Sequence, residues 1–128
     1  MKILLDTHAF IWWDSDISQL SPTALQLCQD PANTLLLSAA SLWEMQIKQQ
    51  LGKLKLKLSL REIVQTQQES NGLIVLPVQL AHVLLLEQLP LHHRDPFDRL
   101  LIAQANAEQA ALLSCDSVFG KYQANVIW

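Results

Sequence analysis

Acidic residues stand at four well-separated points of this chain, each beside a stretch that should fold: Asp6 after the first apolar run, Glu44 early in a helical stretch, Asp98 within the run 92–105, and Asp116 after the last long apolar run. Asp95 adds a fifth, three residues before Asp98. Taken singly, each has an ordinary structural use. Asp6, Asp95 and Asp116 can cap helices, and Glu44 can pair with Lys48 one turn on. Taken together they pose an electrostatic problem. Two unit charges 4 Å apart repel by roughly 4 kcal/mol at an effective dielectric of 20. Gathered carboxylates therefore either take up protons or share a cation. All-oxygen ligands, with no nearby cysteine and with histidines lacking ligand spacing, favour Mg2+, with Mn2+ as the alternative, over Zn2+. Calcium is disfavoured because no Asp-rich loop with its turn glycine is present. A sparse carboxylate site suits phosphate-ester chemistry, in which a cation activates water and neutralises developing charge. Hydrolysis of a phosphodiester is the leading reaction class.

The elements that must position these acids are legible as alternating apolar and amphipathic stretches. Residues 2–5, 34–37, 73–76 and 111–114 read as short buried strands, and 126–128 as a possible fifth. Helices are expected over 9–13, from Ser21-Pro22 to about 28, over 38–50, from Ser59 to Asn71-Gly72, over 79–88, and from Asp95-Pro96 onward. In the 38–50 helix, Ala40, Trp43, Ile47 and Leu51 are expected to form an inward stripe. Residues 54–58 alternate leucine and lysine, as a short amphipathic strand or an extended arm would. The alternation predicts an α/β domain: a mainly parallel sheet of four to five strands between helical layers, joined by right-handed crossovers. In such sheets ligands bind beyond the carboxyl ends of the strands where the winding reverses, which is where Asp6 and Asp116 fall.

Length and composition bound the answer. With 128 residues, 50% of them apolar and only 16% charged, the chain should form a single domain, 1–128, with a full core. A mean hydropathy of +0.16 is greasy enough to suggest that a partner covers part of the surface. The formal charge of −3 excludes a bulk electrostatic grip on nucleic acid but not a local one. Asp6 ends the first apolar run too soon for a signal peptide, and Glu87 and Gln88 end the leucine-rich run well short of a membrane span, so no membrane association and a cytoplasmic location are expected. Cys28 and Cys115 lack metal or redox spacing.

In four places the chain resembles the PIN domain, and within it the VapC-type toxins of type II toxin-antitoxin pairs. The matching stretches are Leu4-Leu5-Asp6-Thr7-His8, the helix carrying Trp43-Glu44, the run Asp95-Pro96-Phe97-Asp98-Arg99-Leu100-Leu101-Ile102-Ala103, and Ser114-Cys115-Asp116. The resemblance covers essentially the whole chain and implies a PIN-like three-layer α/β/α sandwich. It also implies a metal-dependent endoribonuclease acting on structured RNA such as tRNA and held inactive by a cognate antitoxin. Carried over by position, Asp6, Glu44, Asp98 and Asp116 form the acidic quartet, catalytic and metal-binding, with Asp6 and Asp98 the surest ligands. Asp95 is then the helix cap that orients Asp98. The implied chemistry is in-line attack by activated water with departure of the 3′-oxygen, leaving a 5′-phosphate.

Other residues carry secondary expectations. Thr7 and Ser114 can hold a water or a phosphate oxygen, or bond backbone as such hydroxyls do. Arg94 and Arg99 can steady the scissile phosphate, and Arg99 can equally pair with a nearby carboxylate. His8, His92 and His93 lie near the presumed site, where a base role is secondary to activation of water by a cation. Lys53, Lys55 and Lys57, with Lys48 and Arg61, form either an RNA-backbone track or a solvated face. The apolar excess points to a homodimer and an antitoxin partner. Among rival enzymes, a haloacid-dehalogenase-like phosphatase needs a second acid where His8 stands. A response-regulator receiver needs a phosphoacceptor where Leu76-Pro77 stands. A non-catalytic, metal- or partner-binding PIN-like module is the alternative reading.

Overall fold

The computed structural model describes residues 1–92 and 95–128. Five strands, β1 (Lys2–Leu5), β2 (Thr34–Ser38), β3 (Ile74–Leu76), β4 (Ala111–Leu113) and β5 (Val126–Ile127), form one sheet in the order β3-β2-β1-β4-β5. Every neighbouring pair is parallel. Their side chains alternate between two cores, as a period of two requires. Ile3, Leu5, Leu35, Leu37 and Leu113 enter one cluster, while Leu4, Leu36, Leu76 and Leu112 enter the other. A strand buried on both faces has no polar side to show, which is why these strands read as unbroken apolar runs.

Among the described residues, six α-helices cover the sheet: α1 (Thr7–Ser15), α2 (Pro22–Gln29), α3 (Ala39–Gln50), α4 (Leu60–Asn71), α5 (Leu80–Leu85) and α6 (Pro96–Ala107). Phe10 of α1, Ala24 and Cys28 of α2, Met45 of α3 and Ile63 of α4 fill the first core. Leu101, Ile102 and Ala105 of α6 fill the second, with Phe119 from a 3-10 segment, Ser117–Lys121. The result is the expected three-layer sandwich. Local chemistry sets the helix ends. Ser21, Ser59 and Asp95 cap α2, α4 and α6, with Pro22 and Pro96 just inside two of them. Gly72 closes α4 at φ +66°, a left-handed conformation that an L side chain adopts only at a cost.

Two expectations are corrected and one pair of alternatives is resolved. The stripe on α3 is rotated: Ala40, Ser41 and Met45 face inward, whereas Trp43 is 63% and Leu51 64% exposed. Small residues at 40 and 41 let the helix lie close to its neighbours, and that packing overrides a stripe chosen on hydropathy alone. Of the two readings of residues 54–58, the extended arm with a basic face holds and the strand does not. Leu54 and Leu56 lean on the first core while Lys53, Lys55 and Lys57 face solvent, on a segment whose start is tied to the Lys48 carbonyl by the amides of Lys53 and Leu54. The 79–88 helix is an α-helix only to Leu85 and continues as a 3-10 turn, Leu86–Gln88. Among the described residues, no helix is long and apolar enough to cross a membrane.

These burial patterns separate two substitutions that look alike in sequence. Ile102→Ala, at a position with no exposure, should cost about 2–5 kcal/mol of stability. Trp43→Ala, which loses mainly an edge-to-face contact with Phe97 at 5.4 Å, should cost about 1 kcal/mol or less. Urea denaturation of the two variants measures both; equal losses would contradict this division between core and surface.

Candidate active site

The chain leaves β1 toward β2 and β3 on one side, then returns to place β4 and β5 on the other. The crevice at the carboxyl ends of β1 and β4 is therefore the point where the winding reverses, where ligands of such sheets bind. Asp6 follows β1 directly, and its backbone amide donates to the Leu113 carbonyl at the end of β4, 3.1 Å away. A cleft of about 290 Å³ opens here, lined by Asp6, Thr7, Glu44, Asp95, Asp98 and Asp116. His8, Lys48 and Phe119 complete the lining. Five carboxylates from four parts of the chain thus face one space.

Local backbone chemistry aims three of them. Asp6 caps α1, its Oδ1 accepting from the Ala9 amide at 2.7 Å. Asp95 caps α6, its Oδ1 accepting from the amides of Phe97 at 2.8 Å and Asp98 at 3.2 Å, so Asp98 is presented from the first turn. Asp116 caps the 3-10 segment Ser117–Lys121, accepting from Val118 at 3.0 Å. The positive end of a helix favours each of these charges in place. Glu44 is held differently. The Thr7 hydroxyl donates to its Oε1 at 2.6 Å, and Lys48 Nζ stands 3.5 Å from its Oε2.

Asp6 is the strained member. It is 6% exposed, and burial pushes its carboxyl above the ordinary aspartate value. Hydrogen bonds from the Ser114 side chain and the Ala9 amide, with the nearby His8, oppose that shift; the Asp116 charge adds to it. Ser114 is itself buried, and its Oγ accepts from the Asp116 amide at 3.1 Å, so one hydroxyl braces the acids at the ends of both central strands.

The donor set suits a hard divalent cation, being rich in carboxylate oxygen with no thiol in the lining. The penalty on a charged Asp6, set mainly by burial and added to by Asp116, is the kind a cation relieves. As the side chains stand, no group of three or more His, Cys, Asp or Glu among the described residues is already gathered as a ligand set.

Other expected residues lie elsewhere. Arg99 is absent from the cleft lining; its guanidinium donates to the carbonyls of Pro90 at 2.8 Å, Leu86 at 3.3 Å and Leu89 at 3.5 Å, tying the loop before α6 to the helix. Lys53, Lys55 and Lys57 are exposed on the segment beyond α3, outside the lining. His92 packs edge-on against Tyr122, their rings 5.2 Å apart. His93 and Arg94 fall outside the described residues. Two lining residues carried no cleft role in the sequence reading. Lys48 was visible there as the i,i+4 partner of Glu44 and as a member of the basic stretch, and Phe119, 1% exposed, gave no signal apart from being apolar.

Comparison with known proteins agrees with this architecture. The family model described as the PIN domain matches residues 3–125. Among solved structures, the chain is similar to one of VapBC2 from Rickettsia felis bound to a DNA fragment from their promoter, at 19% identity and a TM-score of 0.71, covering 99% of this chain and 96% of that one. It is similar to FitAcB from Neisseria gonorrhoeae at 17% identity and a TM-score of 0.61, covering 98% and 96%. VapBC-5 from Mycobacterium tuberculosis, of the VapBC family of toxin-antitoxin systems, matches at 16% identity and a TM-score of 0.59, covering 98% and 95%. No curated protein matches the chain. With the family model spanning nearly its whole length, the chain belongs to the PIN domain family.

Proposed function

We propose that this chain is a divalent-cation-dependent endoribonuclease, the VapC-type toxin of a type II toxin-antitoxin pair, acting in the cytoplasm on structured RNA such as tRNA. The observation that carries this reading is the convergence of Asp6, Glu44, Asp95, Asp98 and Asp116 on one cleft at the switch point of a parallel sheet. PIN domains are in general nucleases, and among the similar structures VapBC-5 is a member of the VapBC family of toxin-antitoxin systems, to which the name VapBC2 also points.

Mg2+, with Mn2+ able to replace it, is the ion that fits these oxygens, and when bound it would activate water and neutralise charge on the phosphate. Asp6, Asp98 and Asp116 are its proposed ligands, joined by Glu44 directly or through water. Asp95 fixes the first turn of α6 and hence Asp98. Thr7 holds Glu44 with Oε1 as acceptor, so the remaining oxygen and Lys48 face the cleft together. Lys48 supplies positive charge for a phosphate oxygen, and Lys53, Lys55 and Lys57 extend that charge along the chain as an RNA track. Ser114 braces Asp6 and Asp116, while Arg99 acts at a distance by fixing the loop before α6. Arg94 is kept as a phosphate contact. In the proposed reaction, water attacks phosphorus in line and the 3′-oxygen leaves, so the products carry 5′-phosphate. Exposed apolar side chains, Trp43, Leu80, Leu84 and Leu91 among them, supply surface for a homodimer and a cognate antitoxin.

Asp6→Asn tests both the chemistry and its cost. Asparagine keeps the cap on α1 but removes the charge, so cleavage of an RNA pool in Mg2+ should fall by at least about a hundredfold, and wild-type cleavage should vanish in EDTA. Products bearing 2′,3′-cyclic phosphate, or cleavage that persists in EDTA, would overturn the scheme. The same variant should be more stable than wild type at neutral pH without divalent ions. Because the folded Asp6 carboxyl sits above its unfolded value of 3.8, the folded state binds the proton more tightly. Its stabilising contribution is then full below the unfolded pKa and lost as pH rises through the raised one. A thermal melt at pH 7 should show a higher Tm for Asp6→Asn; a lower Tm would mean that Asp6 is compensated in the protein alone.

A further inference from the structure

A second cavity, of about 540 Å³, lies on the flank of α6 between the Leu86–Gln88 turn and the end of the Ser117–Lys121 segment. Its polar lining is Gln88, His92, Asn106, Lys121 and Gln123, set against an apolar wall. Among the described lining residues there is one lysine and no carboxylate, the reverse of the acidic cleft. The lining is partly organised in advance. Asn106 Nδ2 donates to the Gln123 carbonyl at 3.0 Å, which fixes that amide between α6 and the segment after Lys121. The His92 ring is braced edge-on by Tyr122.

Carboxamides offer a donor and an acceptor in one plane, as the edge of a nucleobase does. A ring offers a stacking face, and a lysine offers a point charge for phosphate. The volume lies within the range of small-ligand sites. We propose that this cavity is a nucleotide subsite, binding one unpaired nucleotide of the RNA next to the bond that is cut. The two cavities have no lining residue in common but draw on the same two elements. Asp98 and Asn106 lie eight residues apart on α6, about 12 Å along its axis, and the 3-10 segment contributes Phe119 to the cleft and Lys121 to the subsite. A strand whose phosphate enters the acidic cleft reaches the subsite by crossing that segment. The proposal rests on the ribonuclease reading and adds to it a source of base preference.

The test is anisotropy of a short, fluorescein-labelled single-stranded oligoribonucleotide titrated with the full chain in EDTA, where no cleavage is expected. Wild type, Lys121→Ala and Gln88→Ala are compared at several salt concentrations, with cleavage of the same oligonucleotide followed separately in Mg2+. Both altered residues are exposed, and circular dichroism melts confirm that the variants fold. Lys121→Ala should weaken binding roughly five- to tenfold and reduce the salt slope by about one. Gln88→Ala should leave the slope unchanged and alter the ranking of oligonucleotides that differ in one base. If both variants bind and rank the oligonucleotides as wild type does, while Asp6→Asn abolishes cleavage, the subsite is wrong and the nuclease reading stands. If wild type cleaves no RNA yet Lys121→Ala weakens binding and Gln88→Ala alters the ranking as expected, the subsite stands and the nuclease reading falls.

Discussion

The structure is organised by one electrostatic constraint: a carboxylate, Asp6, is buried at the end of the central strand, where desolvation opposes its charge. A protein free to relax would put a neutral residue there. Here the surroundings compensate only in part, through the Ala9 amide, the Ser114 side chain and the nearby His8, while Asp116 works against them. Around Asp6 the fold concentrates helix starts. Positive ends of α1, α6 and the 3-10 segment after Asp116 converge on the same crevice, so the sheet and its caps form a frame for negative charge.

The frame is stiff for reasons unrelated to chemistry. β1 and β4 are the middle of a five-stranded parallel sheet with both faces covered, and the residues just before the site, Leu4, Leu5, Leu112 and Leu113, have no exposure. Packing of that kind fixes the strand ends, and with them Asp6 and Asp116, without any bond between the acids themselves. Functional side chains that repel one another need such a scaffold, because their own interactions would separate them. Stability spent at the cleft is supplied by the two leucine-rich cores below it.

Much of this was legible in the sequence because it is written locally. An apolar run followed at once by Asp6, or Asp95-Pro96 ahead of a helical pattern, needs only neighbouring residues to be interpreted, and the strands, their order of appearance and the caps emerged as expected. What escaped depends on distant partners. The orientation of α3 turns on close packing at Ala40 and Ser41, so Trp43 looked like a core residue and is a surface one. The leucine-lysine alternation at 54–58 recorded which side faces the core, and of its two readings only the choice of arm over strand waited on whether a neighbouring strand was there to pair with. Arg99 sits beside the acids in sequence but spends its guanidinium on backbone carbonyls of a loop, and carbonyl groups leave no trace in side-chain patterns. The second cavity was invisible for the same reason, since its walls come from three separate segments.

The central claim is that the gathered carboxylates serve a shared divalent cation. Crystals of the chain grown with Mn2+ and measured at an X-ray energy where manganese scatters anomalously test it most directly. The account predicts an anomalous peak in the cleft coordinated by Asp6 together with Asp98 or Asp116, and its disappearance in Asp6→Asn. A cleft without a peak at saturating Mn2+, or manganese bound only at other surface acids, would contradict it.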